Sequence, residues 1–206
     1  MSNRRTNRTR LHLRQAGFSL TELMVVLAFM GTIAAIALPT ITKALASIRL
    51  NGAARSLSNI TAVTKTKAAA QFTRARLRAD LAANSYRVEV WNPATNQWVL
   101  DGGTTWLPGG VTFGFAPVGA PPPNTQLAIN NAPACLDNAN MPIGNTACIV
   151  FNSRGIPIDA VLLSPVSADA LYITDGTAVL GVTVAATGLI GVWTTPPQAV
   201  PSWIIA

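Results

Sequence analysis

One carboxylate, Glu22, stands at the edge of an apolar run, Leu23 to Leu38, that carries no charge at all. A charge near hydrocarbon costs about 2.5–3.5 kcal/mol at the centre of an inserted helix, so such groups are rare and usually have a dedicated partner. Before it lie Arg4, Arg5, Arg8, Arg10 and Arg14, with no acid to offset them. Other chemistry-bearing residues are sparse. The single histidine, His12, sits in the basic start, so the rest of the chain lacks the commonest general base and metal ligand. There is no G-x-S-x-G, no phosphate loop and no metal-ligand cluster. No catalytic residue, metal or cofactor is expected. Cys135 and Cys148 lie in a stretch rich in Pro and Asn. In an oxidising compartment the pair reads as one disulfide closing a loop, worth roughly 3 kcal/mol at that length. Two free buried thiols are the other reading, and a metal site has too few ligands.

These residues need elements to position them. From Ser19 to about Ala83 the pattern is helical, with Pro39 as an interruption, because proline removes a backbone hydrogen bond and kinks a helix. Beyond Pro39, Leu50, Ala53, Leu57, Ile60, Thr64, Ala68 and Phe72 recur every three or four residues and form the stripe a globular domain would cover. Lys65, Lys67, Arg74, Arg76 and Arg78 cluster on the later part of that expected helix. They offer an anion-binding stripe for DNA, or else a solvated face whose charges favour a helix C-terminus. No alternating aromatics accompany them. After Asn84, short strand-like runs alternate with turns: Tyr86–Trp91, Gln97–Leu100, Val111–Phe115, Gln126–Ile129, Ala147–Phe151, Leu171–Thr174, Val179–Val184 and Leu189–Trp193. Trp91, Trp98, Trp106 and Trp193 read as core or sheet-face anchors, with a ligand platform as the other reading. The expected fold is α+β, with a long N-terminal helix packed on an antiparallel β domain of about 120 residues.

The start of the chain resembles a type IV prepilin leader. Four features come in order: a short basic leader, Gly17, the aromatic Phe18, and Glu22 as the fifth residue after the glycine. The resemblance implies that a prepilin peptidase cuts between Gly17 and Phe18 on the cytoplasmic side and that Phe18 is then N-methylated. Basic residues flanking a span are held on that side. Residues 1–17 would be the leader, 18–38 the transmembrane half of the helix, 39–83 its amphipathic half and 84–206 the β-rich domain. Glu22 would meet the Phe18 amine of a neighbouring subunit and set the axial register, and Pro39 would kink the helix. Of the formal charge of +7, the leader carries +5, leaving +2. A rival reading takes Ala44-Leu45-Ala46 as a signal-peptidase site that releases a soluble protein starting at Ser47. The apolar run is long for a signal-peptide core, and the helical pattern continues through that site. The anchored reading is favoured.

The C-terminal half sharpens the resemblance. Ile149-Val150-Phe151-Asn152-Ser153-Arg154-Gly155-Ile156-Pro157 is similar to a strand–turn element of GspH/FimT-type pilins and pseudopilins, and Gly181 to Ile190 is similar to that family's closing hairpin. Residues 116–141 match nothing in that pattern. DNA-binding members place arginines just after the hairpin glycine, whereas here Leu189, Ile190 and Gly191 follow Gly188. DNA as a partner therefore loses its main attraction at this hairpin. The resemblance implies a minor type IV pilin that primes or caps the pilus, or a pseudopilin of type II secretion. Its expected location is the bacterial inner membrane, with the domain in the periplasm, before entry into the filament. The expected partners are the prepilin peptidase, the inner membrane and other pilins. A secreted enzyme is the third class, and no motif supports it.

Overall fold

The computed structural model describes residues 19–166 and 168–206. They fall into two units, Met1–Lys43 and Ala44–Ala206. The described part of the first unit is one stretch of the helix α1 (Leu20–Ala70). Its side chains up to Lys43 are exposed, Ala37 alone being partly covered. This stretch is long and apolar enough to cross a membrane. Pro39 lies inside α1, and the helix runs through it unbroken. The hydroxyls of Thr40 and Thr42 donate to the Ile36 and Pro39 carbonyls at 3.3 and 3.0 Å, the local back-bonds that threonines make inside a helix.

The second unit begins with the rest of α1, whose buried residues are Leu50, Ala53, Ala54, Leu57, Thr61, Thr64 and Ala68. This is the expected stripe, with one correction: Phe72 is 88% exposed. The helix also stops at Ala70, well short of the expected Ala83. Thr73 N–H donates to the Ala68 carbonyl and Phe72 N–H to that of Ala69, while Phe72 takes a left-handed φ of 51°. That pair of bonds is a Schellman stop, built here on phenylalanine where glycine is usual.

The chain then enters β1 (Ala75–Asp80), β2 (Ser85–Asn92), β3 (Gln97–Leu100), β4 (Thr105–Trp106) and β5 (Thr112–Phe113). After a long connection follow β6 (Thr146–Phe151), β7 (Pro157–Ile158), β8 (Ala168–Thr174), β9 (Val179–Ala185), β10 (Ile190–Thr195) and β11 (Ile204–Ile205). Two antiparallel sheets result. One has the order β3-β2-β1-β6-β7, with β4 also on β2, and the other has the order β11-β10-β9-β8-β5. β1, β4, β7 and β11 have no counterpart among the strands expected from sequence. The expected strand Gln126–Ile129 does not form: Leu127 is fully exposed, and the Gln126 side chain bonds Tyr172 and Asn130 instead.

Alternation along the strands builds the main core. Ala75, Leu77 and Ala79 of β1, Ala147, Ile149 and Phe151 of β6, and Leu180, Val182 and Val184 of β9 face the α1 stripe. The connection between β5 and β6, which matched nothing in the resemblance, covers the opposite faces. Val118 and Ile129 pack on Ala170, Tyr172 and Val179 of the second sheet. Cys135 packs with Cys148, Val150 and Ile158 on the first. The Cys135–Cys148 disulfide fastens this cover to β6, with the Cα atoms 4.9 Å apart.

Candidate functional site

Two places carry the groups singled out by sequence. The first is the start of α1. Gly17, Phe18 and His12 lie outside the described residues. Glu22 is the acid in the first turn of the helix, where a carboxylate is favoured by the unpaired N–H groups. Around it Ser19 and Thr21 share a hydroxyl–hydroxyl bond of 2.7 Å, and Leu23 N–H donates to the Ser19 carbonyl. From Leu23 to Leu38 the exposed side chains are hydrocarbon, including Leu23, Met24, Leu27, Phe29, Met30 and Ile33, except for Thr32, whose hydroxyl bonds back to the Phe29 carbonyl.

The second is the outer face of the first sheet. The five cations expected on one helical stripe do not share one. Lys65 and Lys67 are on α1, whereas Arg74, Arg76 and Arg78 follow the strand period, every second residue, across the Schellman stop. Each has its own surroundings. Lys65 donates to the Gly188 carbonyl at 2.9 Å, and Lys67 pairs with Asp101 at 2.7 Å. Arg74 stacks on Trp91 with 4.4 Å to the ring centre, and Arg76 stacks on Trp98 at 4.1 Å. The aromatics missing from the sequence neighbourhood thus arrive across the strands.

Arg76 is the centre of the face. It is 3% exposed, and its Nε and Nη2 grip Glu89 Oε2 at 2.7 and 2.5 Å. Its Nη1 donates to the Leu136 carbonyl, which ties the disulfide-fastened cover to β1. Burial pulls the Arg76 guanidinium below its ordinary pKa, and Glu89 partly offsets that. Burial alone would raise the Glu89 carboxyl, but the charge and bonds of Arg76, joined by those of Arg87, outweigh it and leave the carboxyl below its ordinary value. Arg87 Nε takes Glu89 Oε1 at 2.7 Å.

Sequence reading missed this grid. Its signal was present in the strict alternation of Arg74-Ala75-Arg76-Leu77-Arg78-Ala79-Asp80 and Ser85-Tyr86-Arg87-Val88-Glu89-Val90. Two polar rows flank apolar ones there, as in a hairpin with one face inward. Beside the grid, a groove of about 450 Å³ opens between Gln71, Thr73, Trp91, Asn92 and Asp101. Trp91 and Trp98 are sheet-face anchors in edge-to-face contact at 5.3 Å, and the Trp193 indole donates to Thr183. Trp106 departs from that expectation, being 66% exposed.

The turn segments quoted for the resemblance converge on one point. A Cβ on Gly188 would lie 2.6 Å from the Gly155 carbonyl oxygen and 3.0 Å from Lys65 Nζ. Both glycines have positive φ, 72° for Gly155 and 77° for Gly188. They are needed for the close approach of two turns over the end of α1.

No family model matches the chain, and no curated protein matches it. Among solved structures, the chain is similar to the minor pseudopilin EpsH from the type 2 secretion system of Vibrio cholerae. The match has 14% identity and a TM-score of 0.45, and it covers 70% of this chain and 95% of that one.

Proposed function

We propose that this chain is a structural, non-catalytic subunit of a type IV pilus-type filament, held in the bacterial inner membrane by the start of α1 until it assembles. Within that class the reading is a minor pilin that helps to prime or cap the filament. The observation that carries it is the division along α1. Residues 20–43 expose hydrocarbon that needs lipid or other helices around it, headed by one carboxylate. Residues 50–68 bury their stripe under a β domain. A soluble protein gains nothing from the exposed half, since a large apolar surface in water is a binding site or a liability.

In this reading the peptidase removes residues 1–17, and Phe18 becomes the first residue and is methylated. Its amine meets Glu22 of a neighbour inside a bundle of such helices. Opposite charges that pair there offset part of each other's desolvation and fix the register rather than adding net stability. The periplasmic domain would face other pilins.

Mass spectrometry of protein from the native membrane tests the first step. The expected first residue is methylated Phe18. Finding Ser47 there would replace the anchored reading with a secreted one, and an intact Met1 would remove the peptidase from the account. Deleting the gene separates the two machines. Fewer surface filaments are expected, whereas normal filaments with blocked protein secretion would move the subunit to the type II secretion apparatus.

A further inference from the structure

The register of β1 and β2 sets Arg78 directly opposite Arg87, next to the Arg76–Glu89 pair. Like charges facing each other across two strands destabilise a sheet unless something compensates them. Glu89 does so only in part. Its Oε2 is taken by Arg76 and its Oε1 by Arg87 Nε. Arg78 Nη1 stands 3.6 Å from Oε1, beyond hydrogen-bond length. Asp80, the next acid along β1, accepts from the Ala82 and Ala83 N–H groups and forms no ion pair with either arginine. The Arg78 fork and the two terminal nitrogens of Arg87 thus have no carboxylate of their own among the described residues.

Their side chains are 20% and 36% exposed, so the cations are partly desolvated and still reachable. Between them lies a cleft of about 30 Å³, closed by Asp80 and Ser85. That space is about what two waters or one carboxylate head would fill. The neighbouring Arg76–Glu89 contact shows what this grid accepts, a carboxylate held in a guanidinium fork.

We propose that this face docks an acidic segment of a partner protein, one of whose carboxylates enters between Arg78 and Arg87. A protein carboxylate fits better than a nucleic-acid backbone. Single-stranded nucleic acid would need a free aromatic face for its bases beside the cations. The two indoles of this face are already stacked by Arg74 and Arg76. The proposal does not depend on the filament reading and fails or stands separately from it.

The test uses the full chain in non-ionic detergent and a fluorescein-labelled hexaglutamate peptide, read by anisotropy. Binding is expected at low salt, to weaken as salt rises, and to be absent for hexaglutamine. The double variant Arg78→Gln/Arg87→Gln should lower affinity at least about tenfold, as expected for losing two charge-assisted contacts. Arg154→Gln, at an exposed turn, should leave it unchanged. Should the double variant melt early, Arg78→Gln alone keeps the Arg87–Glu89 pair and should still lower affinity about threefold. Hexaglutamate binding no better than hexaglutamine overturns the proposal, as does binding that folded Arg78 variants leave untouched. A single-stranded oligonucleotide of equal charge that binds more tightly, and is lost in the same variants, would overturn it in favour of nucleic acid.

Discussion

Asp169 shows how burial and charge decide the behaviour of one side chain. It is 6% exposed on β8, and burial raises its carboxyl, with the negative Asp159 adding to the effect, to a pKa of about 6. In the unfolded chain the group has an ordinary aspartate value near 4. Between those two values the folded state binds the extra proton, so this group's contribution to stability is full below about pH 4 and is lost as pH rises through about 6. Asp169→Asn removes the buried charge at every pH. Thermal melts at about pH 7.5 should therefore show a gain of roughly 2–3 kcal/mol for the variant, since each tenfold change in proton affinity is worth about 1.4 kcal/mol. The gain should shrink toward zero near pH 4. A variant that melts below the parent at both pH values would mean that the carboxylate is held by a favourable partner.

At the scale of elements, the approach of the Gly155 and Gly188 turns over Lys65 depends on the lack of a side chain. Gly188→Ala adds a methyl within 2.6 Å of a backbone oxygen as well as a left-handed residue. It should cost roughly 2–3 kcal/mol. Gly176→Ala has a similar φ of 83° but open space around it, and should cost about 1 kcal/mol. Equal losses in denaturant unfolding would show that conformation alone matters and that the turns do not press on each other. The same turns show what was legible in sequence. The α1 stripe from Leu50 to Ala68 could be read, because a helical face repeats regularly over five turns. So could most central strands and the disulfide, because alternation and cysteine spacing are local. The end of α1 could not. Phe72 fills a left-handed stop position that glycine would have announced, and its apolar side chain extends the helical pattern falsely. That single error carried Arg74, Arg76 and Arg78 onto a helix and hid the Arg76–Glu89 grid. The cover formed by residues 116–141 was illegible for another reason. Its bonds run to distant strands, from Ala132 N–H to the Ala170 carbonyl and from Cys148 N–H to that of Pro133. No short-range pattern encodes those partners.

At the scale of the whole molecule, the two units face different solvents in the proposed role. The β domain buries a continuous core against the second half of α1, whereas residues 20–43 leave nearly all of their side chains exposed, in that role for lipid first and for neighbouring helices later. Glu22 is the one group in residues 20–42 for which those two settings differ in sign. In lipid its charge is a cost, so Glu22→Ala should insert at least as well as the parent and be processed normally. In a filament the same carboxylate is proposed to meet a Phe18 amine, and removing one partner leaves the other buried and unpaired, which is costly. The expected result is mature Glu22→Ala protein accumulating in the inner membrane and depleted from sheared filaments, measured by immunoblot of the two fractions. Glu22→Gln keeps the shape without the charge and should show the same defect if charge sets the register. Incorporation of both variants at parental levels would show that Glu22 is only a membrane-edge residue. Loss from both fractions would place its role before assembly, at insertion or leader removal.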